Sequence, residues 1–167
     1  QESRGLGDVY KRQGSLKGYT PKKKSSKKKS SDKSATSDKS GTSTAKKSVA
    51  LTFDDGPSSF TDRLLDCLEE NNAKATFFMV GTEIASFPDE VKRMKKLGCE
   101  LGNHTYDHKD LATLSSDEIS SEIARVDEQL VNLTGEGASV VRPPYGSVND
   151  TVKSTVGTPM ICLLYTS

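Results

Sequence analysis

Both histidines of the chain lie in one short stretch, "NHTYDHKDL", at residues 103–111. His104 and His108 are four positions apart, a spacing that places two side chains on one face of a helix whatever their purpose. Zinc sites use this His-x-x-x-His spacing, but they need further ligands from elsewhere in the chain. Taken alone, the stretch is typical of a polar surface turn, so a metal site requires other residues with suitable chemistry.

Two other short motifs carry side chains that could do chemistry. They are "DDGP" at 54–57, with adjacent aspartates, and "RPPYG" at 142–146, which joins an arginine to a tyrosine. Each has a simpler interpretation by itself, as turn chemistry for "DDGP" and as a rigid loop for "RPPYG". Whether the three motifs act together depends on the elements that carry them.

Apolar strand-like runs alternate with amphipathic helical segments from residue 48 onward. Each motif follows one of the runs: "SVALTF", "CEL" and "ASVV" precede the aspartates, the histidines and the arginine, and "AKATFFMVG" is a further strand. Helices are predicted at 58–72, 87–98, 114–135 and 149–155, and a candidate fifth strand at 159–164. The alternation predicts a parallel α/β sheet or (β/α) barrel, and its strand ends would bring the three motifs to the ligand-binding edge.

Local signals refine these predictions. Ser115 and Glu118 have the spacing of a capping box at the start of the longest helix, and a serine pair at 58–59 is able to cap the first one. The three cysteines have no C-x-x-C spacing, and we expect Cys67 and Cys99 to be small buried residues.

Charge divides the chain into two parts. Residues 14–48 hold 11 Lys against two Asp, a net charge of +9, whereas residues 49–167 hold 10 basic against 19 acidic side chains, a net charge of −9. The Lys/Ser-rich part cannot bury a core, so we predict a disordered tether that attaches loosely to an anionic cell wall or membrane surface. Its single aromatic residue, Tyr19, gives no stacking platform, so this part is not expected to bind nucleic acid specifically. Residues 1–13 match no targeting segment and remain unassigned, with an end that looks non-native.

The motifs together resemble the polysaccharide deacetylases, carbohydrate esterase family four, which include peptidoglycan and chitooligosaccharide deacetylases. The resemblance rests on "TFDDGP", "HTYDH" and "RPPYG" in the family order, with "KATFFMVG" and "ELGNHT" similar to family strands. It implies an α/β fold, a distorted (β/α) barrel. It also implies a divalent metal, usually zinc with cobalt or another first-row ion as alternatives, and removal of acetyl groups from N-acetylated sugars.

The resemblance implies the metal ligands residue by residue. Asp55, His104 and His108 would hold the ion, which agrees with the chemistry of catalytic zinc sites, where three protein ligands leave a position for water. Such coordination can lower the pKa of water from about 15.7 to about 7.

The remaining roles follow from the same resemblance. Asp54 would be the general base, Arg142 would orient it, and the backbone N–H of Tyr145 would help to stabilise the oxyanion. Pro143 and Tyr145 would line the substrate site.

The chain departs from the family after "VGTPMI". The family continues with a strand bearing Asp and Trp and later supplies a histidine as general acid, but this chain has no Trp and no third His. We therefore expect residues 49–167 to be a partial catalytic domain with an incomplete barrel, nearly inactive when expressed alone.

The expected activity is metal-dependent deacetylation of peptidoglycan N-acetylglucosamine by an extracytoplasmic bacterial protein, secreted or tethered to the cell surface. Chitin, chitooligosaccharide or xylan are alternative substrates. A wall-associated metal-binding module without turnover is a rival from another class. An aspartyl-phosphate phosphotransferase is a further rival, although that chemistry commonly separates its two aspartates by one residue.

Overall fold

The computed structural model describes residues 49–163, so the predicted tether at 14–48 and the segment 1–13 lie outside the described residues. Four parallel strands form one sheet in the order β1-β2-β3-β4. They are β1 (Thr52–Gly56), β2 (Thr76–Met79), β3 (Glu100–Asn103) and β4 (Val140–Val141). The predicted α/β class with a parallel sheet is confirmed, and these four strands make up an arc of the expected barrel.

Helices connect the strands as the alternating pattern predicted. They are α1 (Thr61–Glu70), α2 (Gly81–Ile84), α3 (Pro88–Lys96), α4 (Ser116–Thr134) and α5 (Asp150–Thr155). The four predicted helices are all present, and α2 is an addition, because a four-residue helix is too short to show a hydrophobic period. Within residues 49–163, no helix is both long and apolar enough to cross a lipid bilayer.

The longest helix, α4, has a capping box at its start and a glycine at its end. Glu118 N–H donates to Ser115 Oγ at 3.4 Å, and Ser115 N–H donates to Glu118 Oε2 at 2.9 Å, so the predicted capping box is confirmed. The helix ends at Gly135, whose φ of 82° is a left-handed conformation that glycine adopts without a Cβ clash. The carboxylate of Glu118 accepts the backbone N–H of Ser115, and this hydrogen bond lowers the pKa of Glu118.

Two local predictions about α1 were wrong. Phe60 precedes the first residue of α1 and makes no side-chain cap, while Ser58 instead donates its N–H to Thr61 Oγ1 at 2.9 Å. Cys67 is exposed on α1, whereas Cys99 is buried as expected. The buried face of α1 carries Leu65 and Leu68, and Cys67 lies roughly 200° and 100° around the helix from them, so it faces outward.

The candidate fifth strand is reduced to a single parallel bridge between Val141 and Met160. Val141 N–H donates to the carbonyl of Pro159 at 2.9 Å, and Ile161 N–H donates back to Val141 at 2.8 Å. Because β4 has only two residues and Pro159 has no N–H, few backbone hydrogen bonds can extend the pairing into a fifth strand.

Apolar packing fixes the middle of the sheet. On β2 the consecutive residues Phe77, Phe78 and Met79 are all buried, as expected for a parallel strand covered on both faces. Phe77 and Met79 belong to the larger core cluster, which β2 and β3 form with helices α1 to α4. A second cluster packs α4 and α5 against β4. The strand ends that carry the motifs are therefore anchored in close-packed structure.

Candidate metal centre

The carboxyl ends of β1, β3 and β4 bring the three motifs together. Asp55 Oδ1 lies 3.4 Å from His104 Nε2 and 3.2 Å from His108 Nε2. The two imidazole rings are edge to face, with centroids 5.0 Å apart. Asp54 lies beside this group and contacts Arg142 from the end of β4. The predicted meeting of the motifs at one sheet edge is present in the structure.

A bulge in β1 separates the two adjacent aspartates. Asp54 pairs with Phe78 and Gly56 pairs with Met79, so Asp55 is the extra residue between them. Asp55 has a φ of 66°, which turns its side chain away from the direction of Asp54. The bulge lets one carboxylate contact the histidines and its neighbour contact Arg142.

His104 is held in one orientation by a backbone carbonyl. Its ring is 4% exposed, and its Nδ1 lies 2.5 Å from the carbonyl oxygen of Arg142. A carbonyl can only accept, so Nδ1–H donates, and Nε2 presents its lone pair toward Asp55. Burial lowers the pKa of His104, although the hydrogen bond to Arg142 opposes that effect, and the neutral imidazole is the form that ligates metals.

His108 completes the group from the other end of the loop. Its Nε2 faces Asp55, while its Nδ1 lies 3.2 Å from the hydroxyl of Tyr145. The rings of His108 and Tyr145 meet edge to face with centroids 5.0 Å apart. Each histidine thus has one nitrogen engaged by another group and the other aimed at Asp55.

The convergent atoms of Asp55, His104 and His108 fit a divalent metal ion. All three ligand atoms lie within 4.8 Å of one another. A carboxylate oxygen and a lone-pair nitrogen repel each other unless a cation or a proton lies between them. Two imidazoles and one carboxylate suit zinc and related first-row ions, and they leave coordination positions for other ligands.

Arg142 is buried beside the metal centre and fixes Asp54. Its Nη1 donates to Asp54 Oδ1 at 2.6 Å and to Thr52 Oγ1 at 3.1 Å, and its Nε donates to the carbonyl of Ile161 at 3.1 Å. The guanidinium carbon lies 3.9 Å from the ring centroid of Phe78. With Arg142 only 4% exposed, this charge-assisted hydrogen bond is largely shielded from water and holds the carboxylate in place.

The loop after β4 presents Tyr145 to solvent. Pro143 and Pro144 are buried and restrict the backbone, while the side chain of Tyr145 is 70% exposed next to His108. Tyr145 is therefore the accessible member of the predicted substrate-site pair, and the role of Pro143 stays a prediction.

Backbone strain is concentrated around the metal centre. Asp55, Thr105, His108 and Tyr145 all have positive φ angles, between 55° and 69°. Such conformations cost on the order of 1–3 kcal/mol each, and they persist only where surrounding contacts hold them. Residues in strained conformations are common at functional sites, which agrees with the convergence of ligand atoms here.

The motifs alone did not identify two polar residues that hold the histidine loop. Asn103 Oδ1 accepts the N–H of Thr105 at 2.8 Å, and its Nδ2 donates to the carbonyl of Ile123 at 3.0 Å. Glu122, on α4, accepts two backbone N–H groups of the same loop. A sequence signal for Glu122 exists, since a charged residue lies on the otherwise apolar face of α4, three positions after Ile119.

Comparison with known proteins agrees with this geometry. A peptidoglycan-N-acetylglucosamine deacetylase from Bacillus cereus is 46% identical over 104 residues, which are 62% of this chain and 38% of the relative. A chitin deacetylase from Pestalotiopsis is 42% identical over 117 residues, covering 68% of this chain and 39% of the relative. The chain thus spans well under half the length of these two curated relatives.

Solved structures share the fold as well. A family 4 acetyl xylan esterase from Clostridium thermocellum, solved in complex with a cobalt ion, has a TM-score of 0.64 and 35% identity. The match covers 66% of this chain and 55% of that one. The family described as polysaccharide deacetylase matches residues 41–158, which include all three motifs. The chain belongs to the polysaccharide deacetylase family.

Proposed function

We propose that this protein is a metal-dependent hydrolase that removes N-acetyl groups from cell-wall polysaccharide, with peptidoglycan N-acetylglucosamine as its substrate. The observation that carries the proposal is the convergence of Asp55, His104 and His108 beside the fixed Asp54–Arg142 pair. Catalytic zinc sites have three protein ligands and a position for water, and a neighbouring carboxylate can act as the general base.

Asp55, His104 and His108 would hold the ion. When bound, a divalent metal supplies Lewis acidity, which polarises a carbonyl and lowers the pKa of water to about 7. Zinc is the proposed metal, with cobalt or another first-row ion as an alternative.

The other side chains would act on the substrate and on water. Asp54 accepts a proton from the attacking water, and Arg142 holds that carboxylate in the orientation that the proton transfer needs. The backbone N–H of Tyr145 donates to the oxygen that becomes negatively charged in the tetrahedral intermediate. Pro143 and Tyr145 border the sugar that carries the acetyl group.

Two features favour peptidoglycan and an extracytoplasmic location. A peptidoglycan deacetylase is the more similar of the two curated relatives described above. The Lys/Ser-rich residues 14–48, with a net charge of +9, suit a tether to an anionic cell wall or membrane surface rather than a nucleic-acid partner. The chitin and xylan enzymes among the similar proteins make those polymers the alternative substrates.

A wall-associated metal-binding module without turnover remains the rival function. It is favoured by the geometry of the two histidines, since His104 and His108 both face Asp55 and neither is free to act as a general acid. A phosphotransferase is disfavoured, because Asp54 and Asp55 have separate partners and the histidines would have no role.

The test is acetate release from peptidoglycan, chitin and xylan by the full-length protein, before and after chelation, together with zinc calorimetry. We expect peptidoglycan to be preferred, and activity to disappear with chelator and return with zinc. Variants His104→Ala and His108→Ala should lose zinc binding, whereas exchanging the exposed Asp150 for Ala should change neither property. Zinc binding without acetate release from any polymer would support the rival module, and undiminished zinc binding in both histidine variants would refute the metal centre.

A further inference from the structure

A buried carboxylate from α4 holds the loop that carries both histidines. Glu122 is 4% exposed, and its Oε2 accepts the backbone N–H groups of Tyr106 at 3.0 Å and Asp107 at 2.8 Å. Its Oε1 accepts from the ammonium group of Lys109 at 3.0 Å. All three partners lie within or directly after the segment 104–108.

We propose that Glu122 is a positioning residue, which fixes the separation of His104 and His108 so that both can bind one metal ion. The inference rests on the proposed function. Thr105 and His108 have left-handed backbone conformations, which the loop must keep for both Nε2 atoms to face Asp55. The carboxylate accepts N–H groups from the two residues between them, and a charged acceptor makes stronger hydrogen bonds than a neutral one.

Helix packing alone does not account for a carboxylate at this position. Its neighbours on the inner face of α4, Ile119, Val126 and Leu130, are completely buried and apolar. A buried charge is unfavourable unless hydrogen bonds and an opposite charge compensate for it. Here the compensation comes from the histidine loop through its two N–H groups and from the ammonium group of Lys109, which donates to Glu122 Oε1 at 3.0 Å.

Separate contacts hold the side chain of Tyr106, so Glu122 can be replaced without removing them. The ring of Tyr106 packs so closely on Gly81 that a Cβ there would lie 2.3 Å from a ring carbon. The guanidinium of Arg125 lies 3.3 Å from the centroid of the same ring. These contacts fix the side chain of Tyr106, whereas Glu122 fixes the backbone that leads to His108.

Cobalt(II) is a suitable probe, because its visible absorption reports both affinity and ligand geometry. In the full-length protein we expect Glu122→Ala to weaken cobalt binding by about 10- to 100-fold, the range for partners that orient metal ligands, and to change the spectrum. Glu122→Gln should rescue much of the affinity, since its amide oxygen can still accept both N–H groups. Val126→Ala is the matched control, because it removes buried apolar volume one turn along α4 while the hydrogen bonds of Glu122 to the loop stay in place. It should lower the melting temperature but leave cobalt affinity unchanged. Wild-type affinity and spectrum in Glu122→Ala would overturn the inference.

Amide hydrogen exchange in the metal-free protein separates this inference from the proposed function. The N–H groups of Tyr106 and Asp107 should exchange faster in Glu122→Ala than in Val126→Ala at equal global stability. Equal protection of these amides in both variants would also overturn the inference. Failure of the wild type to bind cobalt would instead refute the proposed function, and the exchange rates would then decide whether Glu122 holds the loop.

Discussion

Asp54 and Asp55 are adjacent in the chain, yet their carboxylates belong to separate sets of contacts. Asp54 Oδ1 lies 2.6 Å from the Arg142 guanidinium, while Asp55 Oδ1 faces the two histidines. The division depends on the positive φ of Asp55 at the bulge in β1. One short motif can therefore supply both a metal ligand and a base, because the backbone between them changes direction.

This division gives a test at the level of single residues. In Asp54→Asn we expect zinc affinity to stay near that of the wild type, because Asp54 does not face the histidines. Deacetylation should fall by about 10²- to 10⁴-fold, which is the typical contribution of a general base. Zinc calorimetry and acetate release measured on the same preparation check both parts. Parallel losses of zinc binding and activity would show that the two carboxylates do not have separate roles.

Residue types and their order in the chain predicted which side chains would meet, but not how their backbone would be shaped. Asp55, His104 and His108 could be named from the motifs, since each follows a predicted strand. The left-handed conformations at Asp55 and Thr105 could not be predicted, because neither residue is a glycine, the residue type that most clearly signals a positive φ. Long-range packing holds these angles, and a short motif contains no information about it.

Helix α4 shows how local signals position a distant site. Its capping box fixes the first turn at Ser115 and Glu118, and Glu122 follows one turn later, facing the histidine loop. Because a helix rotates by a fixed angle per residue, the start of α4 determines the direction of each later side chain. The cap therefore bears on the geometry of the loop as well as on helix stability.

Removal of the cap gives a prediction for the element. Ser115→Ala should lower the free energy of unfolding by about 1 kcal/mol, the usual value for an N-cap serine. Chemical denaturation of Ser115→Ala and of Ser116→Ala, the adjacent exposed serine, provides the measurement and its control. A larger loss in Ser116→Ala would contradict the assigned cap.

The other half of the capping box should depend on pH. The folded pKa of Glu118 is lower than its ordinary value, so its contribution is present above the unfolded pKa of about 4.3 and is lost as the pH falls through the folded pKa. The stability advantage of the wild type over Glu118→Ala should therefore be constant near neutral pH and shrink below about pH 4.3. Urea denaturation across that range measures it, and an advantage that grew in acid would contradict the assignment.

Element prediction identified four of the five helices described for residues 49–163 and all four strands of the sheet, but it failed at two places. Amphipathic periods and caps identified α1, α3, α4 and α5, and apolar runs identified β1 to β4. Helix α2 has four residues, and the region after Pro159 forms one bridge, so tertiary contacts decide both outcomes. The burial of Glu122 also depends on tertiary contacts, since an acidic residue on a helix is usually solvated.

At the scale of the whole molecule, the metal centre joins segments that are far apart in sequence. Asp55 comes from the end of β1, and His104 and His108 come from the loop after β3, with β2 between these strands in the sheet. Arg142 follows β4 and places its guanidinium group at the same edge of the sheet, beside Asp54. Parallel order predicted this convergence, because successive crossovers return each strand with its carboxyl end on one side.

A site built across several strands should stabilise the fold when it is filled. A ligand that binds only the folded state raises the free energy of unfolding by about 2.7 kcal/mol at a free concentration 100 times its Kd. We therefore expect zinc to raise the melting temperature of the wild type and of Asp54→Asn, and a chelator to reverse the increase.

His108→Ala, compared with its own metal-free state, should show little change, because two ligands from separate strands bind far more weakly than three. Differential scanning calorimetry at several zinc concentrations measures these shifts. If zinc stabilised His108→Ala as much as the wild type, the ion would have to bind elsewhere, and the assignment of the three converging ligands would be wrong.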